Sequence, residues 1–150
     1  MLPIDQQIPI QKFLPHLEPM LLVDYICDMT ENFVQTHFEI SENCLFVENN
    51  FLSEVALIEN AAQTCSCILG QNYYLDNPNP DQPKAIGFIS TIKSFSIFKL
   101  PQLKSWLETK ASLKSKIQLD DFEMCTISVE TFCQNELIAK GEINLILQDY

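Results

Sequence analysis

The longest apolar pattern in the chain runs from Ser53 to about Tyr74. Ser53 can cap a helix through its hydroxyl, and Glu54 suits the positive end of a helix dipole. The apolar side chains that follow cover most of the circumference: Val55, Ala56, Leu57, Ile58, Ala61, Ala62, Cys65, Ile68 and Leu69. Because a helix that is apolar nearly all round is a buried one, the pattern predicts a buried helix of about 20 residues.

One polar stripe interrupts this helix, because Glu59, Gln63 and Ser66 recur at helical spacing. A carboxylate on a buried helix must be paired, become protonated or face a cavity. Two interpretations of Glu59 therefore stay open: it lies on a helix edge that reaches water, or it is a functional carboxylate.

Two strands are predicted before the helix. The first, Met20–Cys27, is largely apolar and is followed by a turn over Asp28–Asn32. The second, Val34–Ile40, alternates strictly, so it should be buried on one side only, with His37 on the solvated side. A loop, Ser41–Phe51, leads to the helix.

Four long strands are predicted after the helix, beyond a loop at Asp76–Pro83 that is rich in proline and asparagine. They are Lys84–Leu100, whose irregular alternation indicates a bulge, Leu103–Leu119, Phe122–Cys133 and Glu136–Leu147. Gln134 and Asn135 have the character of a tight connection between the last two strands. Ile117, Leu119 and Leu137 are among the side chains expected to point inward.

This order of elements predicts an α+β fold in which a curved antiparallel sheet wraps around one long central helix. Residues 1–150 form a single domain in this interpretation, since no linker, repeat or low-complexity segment divides them. Such a sheet leaves its edges open, and association with another chain is one way to cover an edge.

Charge and hydropathy argue against some classes of function. The net charge of −11 disfavours nucleic-acid binding, which depends on neutralising phosphates. No apolar run reaches the ~18 residues of a membrane span, and the first residues lack a signal-peptide pattern, so we expect a cytoplasmic protein. All nine basic residues are lysines, and seven lie between Lys84 and Lys116, either as a docking patch for an acidic partner or as a solvated strand face.

Most catalytic patterns do not occur in the chain. Three scattered glycines cannot form a phosphate-binding loop, and no nucleophile elbow is present. A zinc site is not expected, since the cysteines lack the spacing of its ligands and are interpreted as small buried residues. The six are Cys27, Cys44, Cys65, Cys67, Cys125 and Cys133.

Two side chains remain that could perform general acid–base catalysis on a small or acyl substrate, namely Glu59 and His16. His16 lies in a segment that Pro15 and Pro19 bracket. In the alternative interpretation, His16 donates a hydrogen bond to a backbone carbonyl and only holds its loop.

Two motifs carry a resemblance to a known family. LPHLEPMLLVD, Leu14 to Asp24, resembles a segment of the β-hydroxyacyl-acyl-carrier-protein dehydratases, and ALIENAAQT, Ala56 to Thr64, resembles the E-x-x-A-Q motif of their central helix. The resemblance covers nearly the whole chain and implies their hotdog fold. It also implies a hotdog homodimer or heterodimer that acts on or binds a 3-hydroxyacyl thioester of an acyl carrier protein, with Glu59 in the place of the family's catalytic glutamate and no need for a metal or organic cofactor. Either His16 substitutes for the family's catalytic histidine, or the chain is a weakened subunit.

The chain departs from that family at one point. Typical members carry G-H-F-P-G before the helix, with a catalytic histidine, whereas this chain has LFVENNFLSEV, in which Asn49 or Asn50 lies nearest that position. The departure resembles the dehydratase subgroup of aryl-polyene and flexirubin pigment clusters. The resemblance implies that Pro15, Pro19, Asn49, Asn50 and Gln63 contact the substrate.

Three functions therefore remain open. The first is a carrier-protein-dependent dehydratase of fatty-acid or aryl-polyene type. The second is a non-catalytic hotdog subunit that completes a heterodimer with an active dehydratase, which the missing loop histidine favours. The third is a hotdog thioesterase, which also uses a helix carboxylate but hydrolyses the thioester.

Overall fold

A computed structural model describes residues 8–75 and 86–148, so the predicted loop at Asp76–Pro83 lies outside the described residues. Its one α-helix, α1, spans Glu54–Leu75, and a 3-10 turn spans Ile10–Lys12. The strands are β1 (Ile8–Pro9), β2 (Tyr25–Thr30), β3 (Phe33–Glu39), β4 (Val47–Glu48), β5 (Phe51–Leu52), β6 (Ile86–Ile97), β7 (Trp106–Gln118), β8 (Glu123–Cys133) and β9 (Glu136–Gln148).

Seven of these strands form one sheet in the order β1-β2-β3-β7-β8-β9-β6, and every neighbouring pair is antiparallel. The long helix packs against one face of this sheet, which confirms the predicted α+β class. The two short strands β4 and β5 form a separate hairpin just before the helix. In the described ranges, no helix is both long and apolar enough to cross a membrane.

The helix begins where the sequence predicts. The Ala56 amide donates to the Ser53 hydroxyl at 3.4 Å, so Ser53 caps the first turn. Ala56, Leu57, Ala61, Cys65 and most other apolar positions are buried, as expected for a central helix. Val55 is an exception. The sequence pattern counts it among the apolar side chains of the buried helix, but the side chain is 65% exposed.

The first predicted strand is wrong at its start. β2 begins at Tyr25 and not at Met20, and it runs on to Thr30 through part of the predicted turn. Between Met20 and Leu22 the backbone bonds to side chains of the helix and not to a neighbouring strand. An apolar run cannot distinguish these two ways of satisfying a buried backbone.

β-Bulges explain why some side chains that were predicted to point inward do not. The register of β7 shifts between Leu113 and Ser115, and beyond that point Ile117 and Leu119 are 48% and 40% exposed. A shift between Thr131 and Phe132 on β8 adds a residue to β9, so Ile138 is buried where Leu137 was expected. The predicted bulge in β6 is confirmed, with register shifts at two places.

The connection between β8 and β9 is the predicted tight turn. Gln134 and Asn135 both have positive φ, 51° and 63°, which is the geometry of a two-residue hairpin turn.

Gly141 should be required by close packing within the sheet. It pairs with Phe95 across β6 and β9, and a Cβ at this position would collide with the Phe95 ring and the Ser94 carbonyl oxygen. We expect Gly141→Ala to lower the free energy of unfolding by about 1–3 kcal/mol, as in other overpacked cores. Urea unfolding followed by circular dichroism measures the difference.

Gly87→Ala is the matched control, because it lies on the same strand pair and its Cβ would meet only the flexible Ser66 hydroxyl, at 3.2 Å. Equal effects of the two substitutions on unfolding would contradict the packing argument.

Candidate active site

Glu59 and His16, which are far apart in the sequence, lie close together in the structure. Glu59 is on the second turn of α1, and His16 is in the segment between the 3-10 turn and β2. The His16 Nε2 atom is 3.7 Å from Glu59 Oε1, and the two side chains are 32% and 31% exposed. The separation is too long for a hydrogen bond, and both side chains are partly exposed, so both groups can face a molecule bound beside them.

Gln63 connects Glu59 to the segment that carries His16. Its amide nitrogen donates to Glu59 Oε1 at 3.0 Å and to the Met20 carbonyl at 2.9 Å. Its carbonyl oxygen accepts from the Leu22 amide at 2.8 Å. Both amide hydrogens are therefore used within the protein, and Gln63 itself is 1% exposed.

Asn60 forms a second connection to the same segment, and sequence reasoning missed it. Its amide nitrogen donates to the Leu22 carbonyl at 2.7 Å, and its oxygen accepts from the Thr109 hydroxyl of β7 at 2.7 Å. The signal that could have identified Asn60 is a polar amide on an apolar helix face, since such a group must find partners.

The turn that contains His16 is held by its own backbone. The Leu17 carbonyl accepts from the Met20 and Leu21 amides at 2.9 and 3.1 Å. Pro15 and Pro19 are exposed on either side of His16, and the peptide bond between Glu18 and Pro19 is cis. In the described part of the chain His16 Nδ1 has no hydrogen-bond partner, so the predicted alternative of a bond to a backbone carbonyl is not observed there.

Asn49 and Asn50 form the turn of the β4–β5 hairpin. Both have positive φ, 53° and 68°, a conformation that asparagine tolerates better than most residues. Both are exposed, and the Asn50 carbonyl accepts from the Leu103 amide at 2.8 Å. No hydrogen bond or ion pair found among residues 8–75 and 86–148 joins either side chain to His16 or Glu59, so their role in substrate binding stays a prediction.

Exposed apolar side chains lie around the pair. Leu17 and Met20 follow His16 in the chain and are 74% and 47% exposed. Val55 precedes Glu59 by one helical turn, so its exposed side chain lies on the same stripe. Clustered apolar exposure beside an acid–base pair is typical of a binding surface for an apolar group.

His37 lies on the opposite face of the sheet, as its alternation predicts, but it is not simply solvated. Its side chain is only 21% exposed and stacks on the Tyr25 ring, with centroids 4.8 Å apart. Its Nδ1 atom is 3.8 Å from the Asp24 carboxylate. Burial raises the pKa of Asp24, while a hydrogen bond from the Glu39 amide and the charge of His37 act to lower it.

The cysteines are free thiols with a structural character. Cys65, Cys67 and Cys125 are buried, and the other three are partly buried. Burial raises the pKa of the Cys65 and Cys67 thiols well above the ordinary value, and it raises that of Cys125 to about 11. Thiols held in this protonated form are poor nucleophiles.

Comparison with known proteins gives one family match and several structural ones. The family model described as ApeP-like, ApeP dehydratase, matches residues 8–149. Among curated protein sequences, no match to the chain is found.

Solved structures resemble the chain in fold. The dehydratase heterocomplex ApeI:P from Xenorhabdus doucetiae aligns with a TM-score of 0.78 and 19% identity, over 93% of this chain and 91% of that one. The E. coli PaaI protein from the phenylacetic acid degradation operon gives 0.60 and 11%, over 80% and 79% of the two chains. A hypothetical thioesterase from Streptococcus pneumoniae, solved with coenzyme A, gives 0.59 and 14%, over 83% and 84%. These matches confirm the hotdog fold.

If the buried thiols are structural, iodoacetamide should modify Cys44 and Cys133 in the folded protein well before Cys65 and Cys67, because alkylation needs an accessible thiolate. Peptide mapping by mass spectrometry measures the order, and the denatured protein, in which all six should react, is the control. Labelling of Cys65 in the folded protein as fast as Cys133 would contradict the assignment.

Proposed function

The chain belongs to the ApeP-like family of dehydratases, and from that premise we propose that it removes water from a 3-hydroxyacyl chain held as a thioester on an acyl carrier protein. The pathway would be of aryl-polyene, flexirubin or fatty-acid type, in the cytoplasm. The observation that carries the proposal is the His16–Glu59 pair, two acid–base groups 3.7 Å apart at the surface of the central helix.

The reaction needs one base and one acid. The base takes a proton from Cα, whose acidity the thioester carbonyl increases, and the acid gives a proton to the departing β-hydroxyl. An α,β-unsaturated thioester and water are formed, so no metal, oxidant or other cofactor is required. In the proposal, His16 and Glu59 divide these two roles, and Cα and the β-hydroxyl of the substrate would lie on the exposed side of the pair.

The surroundings of the pair support an acyl substrate. Leu17, Met20 and Val55 offer exposed apolar surface beside Glu59 and His16. Because the hydrogen bonds of Gln63 all go to protein atoms, we assign to Gln63 the orientation of Glu59 and not direct contact with the substrate. Pro15 and Pro19 would act by restricting the segment around His16.

A second hotdog chain is proposed to complete the site. Strand β6 ends the described sheet on one side, and its residues Phe88, Ile89 and Ile92 are 48%, 40% and 41% exposed. A long apolar edge strand without a neighbour is a template for pairing. The edge lies near the catalytic stripe, since a Cβ on Gly87 would be 3.2 Å from Ser66 Oγ.

We also propose that an acidic carrier protein docks on lysines of the basic stretch, although several of these lysines already have acidic partners. Lys93, Lys99, Lys104 and Lys116 each form an ion pair with a glutamate of the same chain. Together with Lys140 and the carboxylates Glu130 and Glu142, Lys110 and Lys114 instead line an open groove of about 410 Å³ on the sheet face opposite the helix. They are therefore better candidates for an acidic partner than the four paired lysines.

The non-catalytic subunit is the second candidate function. One observation favours it: at the position of the family's loop histidine, this chain has the exposed Asn49–Asn50 turn, which carries no acid–base group. In this alternative, the chain supports an active hotdog partner, as a subunit of a dehydratase heterocomplex. A thioesterase would use Glu59 but release free acid, which a product assay distinguishes from dehydration.

We expect Glu59→Gln to lower the dehydration rate at least ~100-fold, in line with the loss of a general acid–base group. His16→Ala should cost a comparable factor. His37→Ala, on the other sheet face, is the matched control and should change the rate little. The assay follows water loss from a 3-hydroxyacyl carrier protein by mass spectrometry, with and without a hotdog partner.

Two outcomes would change the assignment. If both Glu59→Gln and His16→Ala are harmless in a mixed dimer with an active partner, the chain is a structural subunit. If only His16→Ala is harmless, the histidine is structural, and a water molecule, either free or held by the Asn49–Asn50 turn, carries the second role.

The exposed β6 edge leads us to expect a dimer, formed with a second copy or with another hotdog chain. Light scattering at micromolar concentration should give about twice the chain mass of 17.2 kDa, alone or after mixing with the partner. Ile92→Lys should weaken the association, since it puts a charge on the edge strand, whereas Ile117→Lys on the exposed end of β7 is the control. A mass of one chain in every mixture would refute the dimer.

A further inference from the structure

We propose that Asn60, oriented by Thr109, is a positioning residue that sets the distance between His16 and Glu59. The proposal rests on the proposed function only for what the pair does, because the geometry it describes can be measured without any catalysis. Among the described residues, no hydrogen bond joins the side chain of Asn60 or Thr109 to His16 or Glu59, so both would act through the segment that carries His16.

Two side chains of the helix bind the backbone of Leu22, one at its amide and the other at its carbonyl. Its amide donates to Gln63 at 2.8 Å, and its carbonyl accepts from Asn60 at 2.7 Å. Gln63 and Asn60 are three residues apart on α1, so they lie on adjacent turns and face the same segment. Together they satisfy the backbone hydrogen bonds that a neighbouring strand would otherwise satisfy.

Hydrogen bonds from two threonines fix the orientation of the Asn60 amide. The Thr109 hydroxyl has one hydrogen, and its oxygen is 2.7 Å from Asn60 Oδ1 and 3.2 Å from the Thr131 hydroxyl. Since Asn60 Oδ1 can only accept, Thr109 donates to it, and Thr131 must donate to Thr109. The two threonines thus turn the nitrogen of Asn60 towards Leu22, in a region where all three side chains are at most 1% exposed.

A hydrogen-bonded turn connects Leu22 to the backbone beside His16. Two residues before Leu22, the Met20 carbonyl accepts from Gln63, and the Met20 amide donates to the carbonyl of Leu17, the neighbour of His16. A shift of Leu22 is therefore transmitted through a short hydrogen-bonded turn to the imidazole. A displacement of about 1 Å in a catalytic group can lower a rate ~100-fold.

The chain offers a close control for this network. Thr36 on β3 pairs with Thr109 in the sheet register, and it too is a buried threonine that bonds to the helix, through Thr64 at 2.7 Å. That bond does not reach Asn60 or the His16 segment. Thr36→Val and Thr109→Val therefore remove the same group at neighbouring positions, and only the second acts on the proposed network.

The experiment compares these two variants with Thr109→Ser, which keeps the hydroxyl. Both valine variants should lose thermal stability, and Thr109→Val should lose more, because it removes two buried hydrogen bonds whereas Thr36→Val removes one. Thr109→Val should also lower kcat by about 10- to 100-fold with little change in KM, Thr36→Val should stay within roughly twofold of the wild type, and Thr109→Ser should restore most of the rate.

A second readout does not depend on activity. With ¹³C-labelled histidine, the ring signals of His16 should shift in Thr109→Val but not in Thr36→Val, and hydrogen exchange at the Leu22 amide should accelerate only in the former. Asn60→Ala breaks the same link from the helix side and should give the same two changes, which keeps the test available if Thr109→Val does not fold.

The outcomes separate the positioning role from the proposed reaction. If Thr109→Val and Asn60→Ala leave both the His16 signals and the Leu22 exchange as in the wild type, the positioning role is wrong. The same conclusion follows if Thr36→Val changes them equally. If the wild-type protein shows no dehydration in any pairing while the His16 signals respond as expected, the proposed reaction fails and the positioning role stands.

Discussion

The arrangement of the site depends on one constraint, which is that the buried backbone at Leu22 has hydrogen-bonding groups and no strand to satisfy them. Asn60 and Gln63 of the central helix bind these groups, and Gln63 also reaches the Glu59 carboxylate. Because unsatisfied buried polar groups are costly, the helix and the His16 segment are held together. The same requirement that stabilises the fold thereby brings the two acid–base groups within 3.7 Å.

Several polar side chains are buried between the helix and the sheet. Besides Asn60 and Gln63, the buried polar side chains under the helix include four threonines on the helix and sheet: Thr36, Thr64, Thr109 and Thr131. They bond to one another or to Asn60 in short contacts between helix and sheet. A fully paired network of this kind specifies one register of the helix on the sheet, which a purely apolar surface would define less sharply.

The exposed apolar and charged residues of the fold are relevant to partner binding more than to catalysis. The exposed apolar residues of β6, together with Leu17, Met20 and Val55, present apolar surface to water, which is typical of binding surfaces. An acid–base pair near an open sheet edge agrees with the proposed pairing of two hotdog chains, and the ApeI:P structure, which shares the fold, is a dehydratase heterocomplex. Four lysines of the basic stretch, by contrast, form ion pairs with glutamates of their own chain, so part of its positive charge is neutralised at the surface.

Much of the fold followed from local pattern. The capped apolar helix, the strictly alternating β3, the bulged β6 and the Gln134–Asn135 turn are all confirmed, because each depends on side chains close together in sequence. The proximity of Glu59 and His16 was suggested by motif resemblance and by the absence of other acid–base groups. Composition alone could not place them, since contact between residues 43 positions apart is a property of the fold.

What only the tertiary structure decided are the features that depend on distant partners. The start of β2 at Tyr25 was missed because side chains of α1, and not a strand, bind the backbone before it. Asn60 was missed because its partners, Leu22 and Thr109, are 38 and 49 positions away in the sequence. The residue pattern by itself determined the elements and the faces they bury, since those follow from local periodicity. Long-range hydrogen bonds decided how the elements meet, because a residue's partner is set by the packed chain and not by its neighbours in sequence.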